Sequence, residues 1–213
     1  MVGETGSLSA RKQAPGARHN PGKPFPGSSA TPFGVGKLTD RFITVPGTQS
    51  SMRVVIVFYS LSGNTRRVAK LLASRLAGPD LVEVHDRHQY STLTAYASGA
   101  PRAMRGEVAE VDPSEIEVGD YDLVVLGSPV WAFSPTPAVN GIVAALRGIE
   151  GKEVVIFVTS AGVPGDAAGK LQAASEARGA RVRGSVAFDR KDLDNERKMA
   201  DLVGLVTRPP SAG

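Results

Sequence analysis

Cysteine is missing from this chain of 213 residues, which excludes disulfides, thiolate metal sites and cysteine nucleophiles. Missing too is any apolar run near the roughly 20 residues needed to cross a bilayer, and the N-terminus lacks the apolar core of a secretory signal. These absences lead us to expect a soluble, cytoplasmic chain with no membrane span. An excess of one charge is also missing once the chain is divided. The formal charge is +4, but residues 1–51 hold six of the 25 basic residues (Arg11, Lys12, Arg18, Lys23, Lys37, Arg41) against two of the 21 acidic ones (Glu4, Asp40). That leaves 19 of each in residues 52–213, so the pI near 9.5 reflects the N-terminal stretch. A neutral remainder offers no basic face with interleaved aromatics, and no nucleic acid partner is expected.

What residues 1–51 do have is proline: Pro15, Pro21, Pro24, Pro26, Pro32 and Pro46 stand among many glycines and serines, with no sustained helical or strand period. We expect this stretch to be a mostly disordered extension. Met52 directly precedes the first strand-like run, so a start site assigned too far upstream fits the composition as well as a true disordered arm does. An organelle transit segment is the weaker third origin, for want of an amphipathic Arg-rich helix. Residues 52–213 suit one globular domain.

That domain opens on the apolar run Val54 to Phe58 and passes directly into Tyr59, Ser60, Leu61, Ser62, Gly63, Asn64 and Thr65. A helical pattern follows, with Val68, Leu71, Leu72 and Leu76 on one stripe and Arg66, Arg67, Lys70 and Arg75 opposite, until Gly78 and Pro79 stop it. The first N–H groups of a helix lack internal partners, and its dipole places partial positive charge there. Ser60, Ser62 and Thr65 add hydroxyl donors and Asn64 an amide. Gly63 can take positive φ, so that successive N–H groups face one concavity. Strand, polar turn and helix N-terminus together suit a dianion such as a phosphate. The plainer reading is that Asn64 or Thr65 simply caps the helix.

Four further segments read as strands: Leu81 to Val84, Leu123 to Leu126, Val154 to Val158 and Val182 to Phe188. Their apolar character is nearly unbroken, as in strands covered on both faces. Helical patterns lie between them, at Pro137 to Leu146 and Ala167 to Ala177, and a last helix is expected from about Asp192 to Val206. The long connection from Arg87 to Asp120 is expected to hold a helix around Ser91 to Arg105, with Tyr90 and Tyr96 either packed on the sheet or overhanging a ligand. This alternation predicts an α/β fold, a three-layer doubly wound parallel sheet of five strands.

Two more loops should leave the same carboxyl edge of the sheet, where open α/β sheets bind ligands. Gly127, Ser128, Pro129, Val130, Trp131, Ala132, Phe133, Ser134, Pro135, Thr136 and Pro137 form one, stiffened by three prolines and carrying the only tryptophan. An aromatic side chain on a rigid loop beside a phosphate site can stack on a planar ring; alternatively Trp131 packs over the sheet edge. The other loop, Thr159, Ser160, Ala161, Gly162, Val163, Pro164 and Gly165, has small residues whose backbone can approach the edge of a heterocycle.

These residues resemble the flavodoxin-like family of FMN-binding flavoproteins, from about Met52 to about Val206. Tyr59 to Thr65 is similar to the family's phosphate loop, Gly127 to Trp131 to its second flavin loop, and Thr159 to Gly162, more loosely, to its third. The resemblance implies strand order 2-1-3-4-5 and FMN as cofactor. It places Ser60, Ser62, Asn64 and Thr65 on the phosphate, with Leu61 and Gly63 in the same turn. Trp131 would flank the isoalloxazine within a loop that includes Pro129, Val130, Ala132 and Phe133, and the backbone of Thr159, Ser160, Ala161 and Gly162 would meet the pyrimidine edge. No side chain need be catalytic. Two departures stand out: the third loop has no aromatic residue, leaving one flavin face open to a nicotinamide or quinone, and Phe133 stands where similar proteins often carry glycine. The implied function is electron transfer through bound flavin to a redox partner protein. The alternatives are an NAD(P)H-dependent quinone or flavin reductase and, from another class, a flavin-free structural or interaction module.

Other signals are weaker. Gly34-Val35-Gly36 lacks both the third glycine and a preceding strand, and Gly165 to Lys170 has Pro164 at the first P-loop glycine. His85, Asp86 and His88 sit in an extended segment where neighbours face opposite ways, so a solvated or capping role is expected of them rather than a metal site. Ser62 lacks the glycine elbow of a hydrolase nucleophile.

Overall fold

The structure, a computed structural model, describes residues 52–88 and 90–209; the expected extension 1–51 lies outside the described residues. Five strands, β1 (Val54–Phe58), β2 (Asp80–Glu83), β3 (Leu123–Trp131), β4 (Glu153–Ser160) and β5 (Arg181–Asp189), lie side by side in the order β5-β4-β3-β1-β2. Every neighbouring pair is parallel, so the order 2-1-3-4-5 expected from the sequence is the order found. Between the strands run α1 (Asn64–Ser74), α2 (Thr92–Thr94, Ala95–Gly99 and Ala100–Met104 in one run), α3 (Pro137–Ala145) and α4 (Ala167–Glu176), and α5 (Glu196–Thr207) follows the last strand.

β1 shows why the sheet is covered on both faces. Its Val-Val-Ile-Val-Phe sequence is β-branched and aromatic throughout, and all five side chains are buried. Successive residues point to opposite faces. Val55 and Val57 join Ile142 and Val143 of α3 and Leu171 of α4 in one cluster. Val54, Ile56 and Phe58 join Val68 and Leu72 of α1 and Met199, Leu202 and Val206 of α5 in the other. Each fully buried side chain of this size contributes about 1.5–3 kcal/mol. The two clusters fix β1 in the middle of the sheet and hold its carboxyl end in place.

The strand and helix boundaries differ from expectation by a few residues, and β3 by the most. Rather than ending at Leu126 it continues to Trp131, pairing Gly127, Ser128 and Pro129 with Phe157, Val158 and Thr159 of β4. Gly127 makes this possible, since a Cβ there would stand 2.3 Å from the Phe157 ring. The long connection after β2 contains the expected helix, its middle turn Ala95–Gly99 wound with wider π spacing. Two short pairings, His85–Asp86 with Val111–Asp112 and Ile116–Glu117 with Leu146–Arg147, fasten that connection to the domain. Among the described residues no helix is long and apolar enough to cross a membrane.

Candidate functional site

The parallel sheet brings the ends of β1, β3 and β4 to one edge, and the three expected loops converge there. Leu61, Ser62, Asn64, Pro129, Val130, Trp131, Ala132, Thr159, Ser160 and Ala161 line a single cleft. Two further wall residues, Ala95 and Ala100 of α2, escaped the sequence reading. The small residues Ala95, Ala97, Ser98, Gly99 and Ala100 were the available signal, since small side chains let a helix approach a site closely.

In the first loop Gly63 takes φ 87° at the N-cap of α1, and no side chain caps the helix from that position. Neither Asn64 nor Thr65 serves as the cap. Ser60 Oγ instead accepts the Arg66 N–H at 3.2 Å, which leaves its own O–H free to donate. The N–H groups of Asn64 and Thr65 have no acceptor among the described residues. Thr65, fully buried, shares a 2.9 Å hydrogen bond with Thr159 Oγ1 that ties the first loop to the third. The nearby cations are engaged elsewhere: Arg66 makes a bidentate pair with Glu83 at 2.6–2.9 Å, and Arg67 pairs with Asp194. The donors that remain are hydroxyl, amide and backbone groups on a helix N-terminus, the chemistry of an anion cradle.

The second loop is a two-residue β-hairpin. Val130 and Trp131 pair antiparallel with Ser134 and Pro135, and the chain reverses through Ala132 at φ 47° and Phe133 at φ 63°. Such a turn favours Asn-Gly. L-residues in this region cost roughly 1–2 kcal/mol each, so tertiary contacts must hold the turn. Trp131 is enclosed edge-on by Tyr90 (centroids 5.1 Å apart, 81°) and Tyr59 (6.3 Å, 80°). Gly99 of α2 lies so close that a Cβ there would be 2.5 Å from Trp131 Cζ3. On the return limb Lys170 Nζ donates to Ser134 Oγ at 2.8 Å, and Thr136 caps α3 through the Val139 N–H. Trp131 thus both packs over the sheet edge and lines the cleft. Tyr90 is a packing residue; the side chain of Tyr96 lies outside the described residues.

In the third loop Thr159 and Ser160 are buried, with Ser160 Oγ donating to the Gly162 carbonyl at 2.6 Å, while Ala161, Gly162 and Val163 face solvent. Five expected site residues fall outside the cleft lining: Ser60, Gly63 and Thr65 build the first turn from behind, Phe133 stands on the hairpin tip, and Gly162 lies past Ala161.

Residues 53–175 match the flavodoxin family. The chain belongs to that family. No curated protein matches it. Among solved structures, a flavoprotein from Lactobacillus acidophilus in complex with FMN is 24% identical with a TM-score of 0.52, the match covering 68% of this chain and 97% of that one. Provisionally named flavoproteins from Bacteroides uniformis (18% identity, TM-score 0.57, 74% and 99% covered) and Bacteroides eggerthii (22%, 0.54, 71% and 98%) are similar. At these identities the likeness is one of fold.

The chain carries a polar cluster behind Trp131. Asp86 is buried; its Oδ1 accepts the His88 N–H at 2.8 Å, while Oδ2 has no partner among the described residues. Burial pushes the Asp86 carboxyl above the usual carboxylate range, against the lowering effects of the His88 N–H, Arg102 and the His88 ring. Burial, then Asp86 and Tyr90, push the Tyr59 phenol well above its ordinary value. Arg102 donates to Tyr90 Oη and to Glu107 at 2.7 Å, so the wall behind the tryptophan is fixed by charge as well as by packing.

Proposed function

We propose that this chain is a redox flavoprotein that holds FMN in the cleft between the three loops and transfers electrons through it, in a cytoplasmic setting. One observation carries the reading: an anion cradle and a braced aromatic ring line one cleft at the same sheet edge, with the Thr65–Thr159 hydrogen bond tying the cradle to the third loop. The donor set suits a phosphate dianion. Ser60 has a free O–H, Ser62 and Asn64 stand at the cleft, and either hydroxyl of the Thr65–Thr159 pair can be the donor, so Thr65 can turn its hydrogen outward. Trp131 supplies the aromatic wall, and Thr159, Ser160, Ala161 and Gly162 supply backbone groups for a ring edge. FMN bound there would provide the one- or two-electron chemistry, and the protein its placement and surroundings.

A second reading, an NAD(P)H-dependent quinone or flavin reductase, is favoured by the third loop, where Ala161, Gly162 and Val163 leave the approach to the cleft open. Titrating FMN into the chain and following flavin fluorescence tests the shared basis of both. We expect saturable quenching; no quenching would leave a flavin-free interaction module. Steady-state NADPH oxidation with a quinone then separates them: turnover supports the reductase, and reduction only by a reductase protein supports the carrier.

A further inference from the structure

We propose that Phe133 is the contact residue for a second ligand of this site, an uncharged planar organic ring of quinone size, and that it selects such molecules over anionic ones. The inference rests on the FMN reading above. Phe133 sits at φ 63° in a turn that glycine would make without strain, yet its side chain is 59% exposed. A ring that strains the backbone and gains little burial does little for the fold. Solvent-exposed apolar residues are common by themselves; an exposed one held in left-handed backbone directly after Ala132, which lines the cleft, is not, and such strain gathers at functional sites.

Its surroundings define the ligand. Gly165 on the third loop, at φ 57°, lies beneath it, and a Cβ there would meet Phe133 Cβ at 2.5 Å, so the absence of a side chain at 165 lets the hairpin tip seat against that loop. Val163 on the same loop as Gly165 is 75% exposed, a second apolar side chain turned to solvent. None of the residues that line the cleft is charged. With the FMN phosphate taking the donors of the first loop, a second anion would find no charged side chain among the lining residues to balance it, whereas a neutral ring would find the apolar face of Phe133, suited to offset stacking.

Equilibrium dialysis of the full, FMN-loaded chain against a naphthoquinone and against its sulfonate provides the test, with loading of each variant read from flavin absorbance. With no cysteine present, thiol adducts cannot confuse it. We expect the native chain to bind the naphthoquinone about fivefold more tightly than the sulfonate, and Phe133→Gly to lose about that factor while Phe133→Tyr keeps it. We also expect Phe133→Gly to unfold at no lower a temperature than the native chain. Equal naphthoquinone binding by Phe133→Gly, or preference for the sulfonate, would overturn the assignment. So would a fall of more than about 5 °C in the unfolding midpoint, which would make the ring a structural prop. If the native chain takes up no FMN, the FMN reading falls and this one with it; FMN uptake with indifferent quinone binding removes this one alone.

Discussion

At the end of β1 the chain turns through left-handed backbone at Gly63, whereas at the end of β3 it does so at Ala132 and Phe133. The first turn uses the residue its conformation favours and surrounds it with small hydroxyl and amide groups. The second places side chains where glycine would be easier and depends on distant support from Tyr59, Tyr90, Gly99, Gly165 and Lys170. An anion cradle built from backbone and short side chains is thus largely self-sufficient. An aromatic wall is not, because a ring is placed only by what packs around it. The contrast separates holding the cofactor from shaping what can reach it.

Four substitutions would break or sharpen this contrast. Trp131→Ala should have the largest effect. Emptying the space between Tyr59, Tyr90 and Gly99 should lower stability by about 3 kcal/mol in urea unfolding, weaken FMN binding and shift the flavin potentials. Should stability hold, the hairpin does not depend on the tryptophan. Gly99→Ala comes next: its new methyl meets Trp131 and Tyr90, and overpacking should cost about 1–3 kcal/mol by the same measurement. A neutral result would show that α2 can retreat and does not brace the ring.

Thr65→Val should act mainly on the ligand. Loss of one buried hydroxyl bond should cost about 1 kcal/mol of stability and weaken FMN roughly tenfold, with little change in riboflavin binding; equal loss for both flavins would mean that Thr65 serves the fold alone. The smallest effect belongs to Asp86→Asn. Burial raises the Asp86 carboxyl in the folded state, so the folded chain holds its proton longer. The associated stability is fully present below the unfolded value near about 3.9 and is lost as pH rises through the raised folded value. The asparagine variant should flatten that part of the curve of urea midpoint against pH. An unchanged slope would show that Asp86, set among Tyr59, Tyr90, His88 and Arg102, does not titrate there.

The cradle and the sheet were legible because their signals are local. Val54 to Phe58 announces a strand covered on both faces, and a hydroxyl-rich turn before an amphipathic helix announces its donors within six residues. The hairpin was not legible, since Trp131-Ala132-Phe133-Ser134 lacks the Asn-Gly or Asp-Gly pair that marks such turns, and its conformation is imposed from outside. The departure at Phe133 from the glycine of similar proteins was visible in the sequence, but its meaning needed φ 63° and the glycine beneath it. The extension of β3 past Leu126 likewise depended on Phe157 fitting over Gly127, a contact between segments far apart in the chain. The wall from α2 was hidden for the same reason.

The most direct test of the account is the affinity of the chain for FMN relative to riboflavin, which differ by the phosphate alone. A cradle of hydroxyl and backbone donors on a helix N-terminus should favour FMN by about 100-fold, the factor that two charge-assisted hydrogen bonds supply at about 1.5 kcal/mol each. Equal affinity for riboflavin would contradict it, for the turn from Ser60 to Thr65 would then hold no phosphate.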